Sequence, residues 1–179
     1  PNFPIPANAP PPGQSFPSHA GRLRSEASNA VVVLSELMLD PVGPNAGQQK
    51  VELWNPTQAD FNVGGWHVEI GSQRITLPSG LRIEAGGFIV LHLGAVGNNT
   101  LKDLYFSSVT EVDARSGDAA LITPQGMLAD YVQWGASGNL NELVAVNEGQ
   151  WVAGTFCVSP VEGYSLTFRG SGNYTTDFT

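Results

Sequence analysis

Trp66, Val68 and Ile70 alternate with His67 and Glu69, a period of two that sends each set to one face of a β-strand. Leu81 and Ile83 alternate with Arg82 and Glu84 in the same way, and Tyr164, Leu166 and Phe168 alternate with Ser165, Thr167 and Arg169. Residues 30–39 (AVVVLSELML) are apolar and β-branched up to Pro41-Val42-Gly43-Pro44. Residues 49–54 (QKVELW) stop at Asn55-Pro56, and residues 74–77 and 101–106 are shorter strand candidates. Phe88 to Leu93 (FIVLHL) is apolar at both parities, which predicts a strand covered on both faces. Residues 118–123 and 127–134 flank Pro124-Gln125-Gly126, with proline early and glycine late as in a hairpin turn. Turn signals every ~8–12 residues predict an all-β sandwich or barrel. The best helical stretch is residues 139–146. The expected structural core includes Glu36, Trp54, Trp66, Val68, Ile70, Val90, Val132 and Trp134.

Two segments depart from the strand–turn pattern. Residues 1–29 hold seven prolines in their first 17 positions, which excludes a helix and favours extended or polyproline II chain. Phe3, Ile5 and Phe16 are spaced along this arm as apolar anchors, and residues 18–29 read as a linker to a domain over 30–179. Residues 135–160 form a long excursion before the last strand, and loops of that length carry either their own packing or a function. Trp151, Val152 and Phe156 are the residues that would fold it back, and Trp151 is also the candidate for contacting a partner.

Composition narrows the classes. Of 179 residues, 41% are hydrophobic and only 13% charged, with 21 Gly and 13 Pro, about half the usual ~25% charge of a globular domain. The net charge of −8 removes nucleic acid as an expected partner, since its binders need cations to displace phosphate counterions. Arg22 and Arg24 are the one basic pair and read as solvated linker. No apolar run approaches the ~20 residues of a membrane span. Pro1 fits removal of either a signal peptide or an initiator Met.

The inventory for chemistry is thin. His19, His67 and His92 lie in no metal-binding motif, and Cys157 has no cysteine partner, so zinc spacing is missing. Cys157 is expected to be a buried thiol, with a bridge between subunits as the alternative. No nucleophile elbow or phosphate-cradling loop is present. Glu111, Asp113 and Asp118 lie within eight residues. Oxygen-rich loops hold calcium, so these three are the calcium candidate, with a solvated acidic turn as the bland reading. No cofactor is expected. Asn98-Asn99-Thr100 and Asn173-Tyr174-Thr175 fit the glycosylation sequon.

Six short elements, in order over residues 31–135, resemble one family. Val33-Leu34-Ser35-Glu36-Leu37-Met38 resembles the opening strand I-x-I-S-E-I-M of lamin tail domains, and Val51-Glu52-Leu53-Trp54-Asn55 resembles their W-I-E-L-Y-N. Gly65-Trp66 with Leu77-Pro78-Ser79-Gly80, then Gly86-Gly87-Phe88-Ile89-Val90-Leu91, resemble G-W-x-L, L-P-x-G and P-G-G-Y-L-V-L, with Ala85 in place of the usual proline. Gly117-Asp118-Ala119-Ala120-Leu121 and residues 126–135 (GMLADYVQWG) complete the series. The resemblance implies an immunoglobulin-like β-sandwich without catalytic residues, and it implies a structural bond for Glu36. Bacterial members are usually secreted or surface-attached. Animal members sit in nuclear lamins, a role that the acidic balance here fits poorly.

Two functional expectations follow. The first is a non-enzymatic structural protein, extracellular or on the cell surface, that self-associates into an oligomer or filament through its arm, since an extended segment can add to an open sheet edge. The second is an adhesion or targeting module for glycan, cell wall or another protein, with Trp151 as its contact.

Overall fold

The computed structural model describes residues 32–168. The arm, with Phe3, Ile5 and Phe16, lies outside the described residues. Eleven strands and one short helix are present among them: β1 (Val33–Met38), β2 (Lys50–Trp54), β3 (Phe61–Asn62), β4 (His67–Ile70), β5 (Gln73–Thr76), β6 (Arg82–Ile83), β7 (Phe88–Leu93), β8 (Asp103–Phe106), β9 (Gly117–Ile122), β10 (Leu128–Trp134), α1 (Glu142–Asn147) and β11 (Leu166–Thr167). One sheet runs β11-β1-β2-β7-β8 and the second β10-β9-β4-β5, with β3-β6 as a two-stranded ribbon. Every pairing between named strands is antiparallel except β7–β8. This is an immunoglobulin-like β-sandwich, and the hairpin around Pro124-Gln125-Gly126 joins β9 to β10.

The core follows the alternation. Trp66 is 7% exposed, Val68 and Ile70 are fully buried, and Val132 and Trp134 join them from β10. Opposite stand Leu37, Val51, Leu53, Ile89, Leu91 and Leu93 from the first sheet. Burial of each large apolar side chain is worth roughly 1.5–3 kcal/mol. Phe61 meets Trp66 edge-on at 5.6 Å, a favoured aromatic arrangement. The two sheets are also tied by a polar link: the Leu34 N–H donates to the Asp130 carboxylate at 2.7 Å, and the Tyr131 N–H donates to the other oxygen at 3.0 Å.

Three expected core positions face outward. In β7 the inward residues are Ile89, Leu91 and Leu93. Val90 is half-buried on the outer face, and Phe88 is 44% exposed, so the strand is covered on one face only. The register Glu52↔Val90 and Trp54↔Phe88 explains why. Val51 and Leu53 of β2 point inward, so Glu52 and Trp54 share the opposite face with Val90 and Phe88. Trp54 therefore stacks on Phe88, at 5.8 Å and 11°, outside the core. Glu36 is also half-buried and outward, because the register slips between Leu34 and Glu36. The structural bond belongs to its neighbour: the Ser35 hydroxyl donates to Glu52 at 2.7 Å.

Candidate functional site

Among the described residues, the outer face of the second sheet is covered where the first sheet's outer face is not. All seven residues of β10 are buried, so both parities of this strand have something packed on them. Val132 and Trp134 face the core, whereas Tyr131 and Gln133 pair with Ala120 and Asp118 on the other face. Residues 135–157 lie over that second face. Cys157 bridges to Trp134 in parallel, its N–H donating to the Gln133 carbonyl and its carbonyl accepting from Gly135 N, both at 2.9 Å. Cys157 is thus a buried thiol. Gly135 starts the excursion with φ at +72°, and a Cβ there would lie 1.7 Å from the Arg115 carbonyl, so only glycine fits.

Trp151 is 3% exposed, meets Tyr131 edge-on at 5.3 Å, and donates its indole N–H to the Thr155 carbonyl at 2.9 Å. It seals the excursion onto the sheet, which takes it out of consideration as a surface contact. Ala145 of α1 is fully buried beside it. Polar groups complete the seam. Gln133 donates to the Thr155 carbonyl at 2.6 Å and accepts from the Tyr131 hydroxyl and from Asn139, each at 3.0 Å. The Gln150 amide donates to the Leu128 carbonyl at 2.7 Å. Nothing in the period of two marks these residues as buried; a seven-residue strand whose outward positions are Tyr and Gln is the one sequence signal for a covering layer.

The buried acids of this region are held by backbone amides. Asp118 is 2% exposed and accepts from the Asn141 N–H at 2.9 Å. Burial pushes its carboxyl above the ordinary range, and the Asn141 N–H offsets part of that. The Glu142 carboxylate accepts from Gly138 N and, at 2.7 Å, from Gly154 N. Burial works against its charge, but those two bonds prevail and hold its carboxyl below the usual range. Burial, then the Asp118 charge, push the Tyr131 hydroxyl far up.

The calcium candidates do not converge. Glu111 and Asp113 line an open hollow of about 510 Å³ with Asp40, Asn45 and Arg115, whereas Asp118 is buried under α1. The Asp113 carboxylate accepts from Arg115 N at 2.8 Å, and its carbonyl accepts from the Trp134 indole at 3.1 Å. Among the described residues no group of three His, Cys, Asp or Glu is placed to hold a metal ion. His67 is half-buried and lowered by burial and by Arg74. His92 lies on the outer face of the first sheet, bonded to Asp103 at 2.8 Å and stacked on Tyr105 at 4.3 Å.

Among the described residues, large apolar side chains reach solvent at several places. One is the outer face of β2, β7 and β8, where Phe88 is 44% exposed beside half-buried Trp54 and Tyr105. Another is the stretch around α1, where Leu140, just before the helix, and Leu143 are each 71% exposed and Val144 44%.

Two stacked sheets around one core, with an excursion covering the outer face of the second, define an immunoglobulin-like β-sandwich domain. The lamin tail domain family model matches residues 25–136, and the chain belongs to that family. The matched span ends just after β10, so α1 and its apolar side lie beyond it. Comparison with curated proteins returns no match.

Proposed function

We propose that this protein is a structural module of the cell exterior that associates with copies of itself through its N-terminal arm, forming an oligomer or filament. The observation that carries this reading is a division of labour. The described residues close a full core from Val32 to Leu166, while three large apolar anchors, Phe3, Ile5 and Phe16, stand in a separate proline-rich segment. Apolar side chains in such a segment are recognition elements, because proline-rich chain docks at low entropic cost. Light scattering over a range of concentrations tests it: mass per particle rises with concentration for the full chain and stays at one subunit for Phe3→Ser/Ile5→Ser/Phe16→Ser. A full chain that stays at one subunit at high concentration ends this reading.

A second reading, an adhesion module for glycan or another protein, is favoured by the Trp54–Phe88 stack on the outer face of the first sheet. Aromatic faces flanked by Glu52, Lys50 and His92 suit sugar rings with their hydroxyls. Glycan-array binding lost in Trp54→Ala/Phe88→Ala would support it, and an array without hits would remove it.

A further inference from the structure

The chain leaves β10 through a strained joint. The Ala136 N–H donates to the Trp134 carbonyl at 2.8 Å across Gly135, whose φ is +72°. A three-residue turn closed at positive φ is the rare and strained form of the γ-turn. Ser137 and Gly138 follow, both exposed, and Gly138 is again at positive φ, +84°. The lamin tail match stops at residue 136, inside this joint. Short hinges under strain invite exchange, between copies, of the element that lies beyond them.

The segment beyond the joint, residues 136–168, is seated on the sandwich at two places. On the second sheet the N–H groups of Asn141 and Cys157 reach the Asp118 carboxylate and the Gln133 carbonyl, each at 2.9 Å, and Trp151 meets Tyr131. On the first sheet β11 extends the edge at β1, with Leu166 opposite Leu37 and the Phe168 N–H donating to the Ser35 carbonyl at 2.8 Å. Each of these contacts joins a residue before the joint to one after it. A second copy's segment therefore meets the same partners in the same geometry. The Glu142 clamp travels inside the segment, because Gly138, Glu142 and Gly154 all lie beyond Gly135. Exchange preserves the seat and removes the γ-turn. Tethering opposes it: a segment on a short linker has an effective concentration on the order of 1 mM, which favours the closed monomer in dilute solution.

We infer that residues 136–168 are an exchangeable segment: two copies open at Gly135, and each seats its excursion and β11 on the other's sandwich, giving a domain-swapped dimer. Each copy gives and receives the same segment, so the assembly is isologous and closes at two subunits. This route is separate from the arm-mediated association proposed above.

The test uses the full chain carrying Phe3→Ser/Ile5→Ser/Phe16→Ser, so that the arm contributes nothing. This parent is compared with a form lacking Ala136 and Ser137 and with a form that has Gly-Ser-Gly-Ser inserted after Ser137. Each is unfolded in urea and refolded either dilute or at ~1 mM, near the effective concentration of the tether. All are then diluted and run by sedimentation velocity. The parent is expected to refold as a monomer when dilute and partly as a dimer when concentrated. That dimer should persist on dilution, because a swapped pair separates only by opening. The shortened joint cannot close on its own sandwich and is expected as a dimer under both conditions. The lengthened joint relieves the turn and is expected to give severalfold less dimer than the parent. A parent without dimer after concentrated refolding, a dimer share indifferent to the inserted residues, or a dimer that falls apart at once on dilution overturns the exchange and leaves the arm reading to its own test. A shortened form that folds as a monomer overturns it too; should that form not fold, the parent and the lengthened form decide.

Discussion

Replacing Glu142 by Gln isolates what holds the excursion down. The glutamate accepts two backbone N–H groups, from Gly138 and Gly154, and is 9% exposed. A glutamine offers one oxygen and one NH2, so one amide keeps a neutral acceptor and the other faces a donor. Hydrogen bonds to charged groups contribute about 1.5–3 kcal/mol each and neutral ones about 1. Loss of one and weakening of the other comes to about 2–4 kcal/mol. The carboxylate lies near the surface, where solvent screens it, which favours about 2 kcal/mol. For a domain of this size that is a fall in melting temperature of about 4–8 °C. The pH dependence carries the sign. The folded-state pKa of Glu142 is depressed, so its contribution is present above the unfolded value of ~4.3 and is lost as pH falls through the folded pKa. The gap between wild type and Glu142→Gln should therefore be full at pH 7 and shrink below pH 4. Asp118 behaves oppositely. Its pKa is raised, so the folded state holds its proton more tightly, and that stabilisation is full below the unfolded value and lost as pH rises through the folded pKa. Asp118→Asn should remove this fall in stability above pH 4. Calorimetry at dilute concentration from pH 3 to 7 checks both. A Glu142→Gln melt within 1 °C of wild type at pH 7, or a gap that widens on acidification, would refute the clamp.

Other substitutions test the sandwich. Trp66→Ala should cost about 3–5 kcal/mol in urea unfolding, since the ring is buried against Phe61; a cost under 1 kcal/mol contradicts its placement. Asp130→Ala leaves the Leu34 and Tyr131 amides without their acceptor and should cost at least about 2 kcal/mol by the same measurement. Gly135→Ala drives a methyl into the Arg115 carbonyl at a positive φ, and a thermal melt should show one of the largest losses of any alanine substitution here. Trp151→Ala should release the excursion, read as new proteolytic cuts between residues 136 and 156 while the β9–β10 hairpin stays protected; an unchanged digest would mean that the indole does not seal this layer.

Much of the sandwich was legible because period-two alternation is unambiguous where one parity is polar. Residues 66–70 and 81–84 are such cases, as is the hairpin at Pro124-Gln125-Gly126. The inward set of β7 was not legible, because FIVLHL is apolar at both parities, and only pairing with β2 decides that Ile89 and Leu91 go in. The position of Trp54 was readable: in KVELW it shares parity with Lys50 and Glu52, and a preference for burying tryptophan overrode that pattern. The β1 slip that turns Glu36 outward has no local signal. The covering excursion depends on long-range contacts between Trp151 and Tyr131, and between Gln133 and Thr155, that no spacing encodes. Of the calcium candidates, proximity in sequence was misleading, since Asp118 enters β9 and turns under α1 while Glu111 and Asp113 remain on the rim.

Electron micrographs of the purified full chain, beside the same chain lacking residues 1–20, test the proposed self-association most directly. Rings or strings of particles for the full chain, and single particles of one subunit for the shortened one, are the expected result. Single subunits in both fields would contradict it.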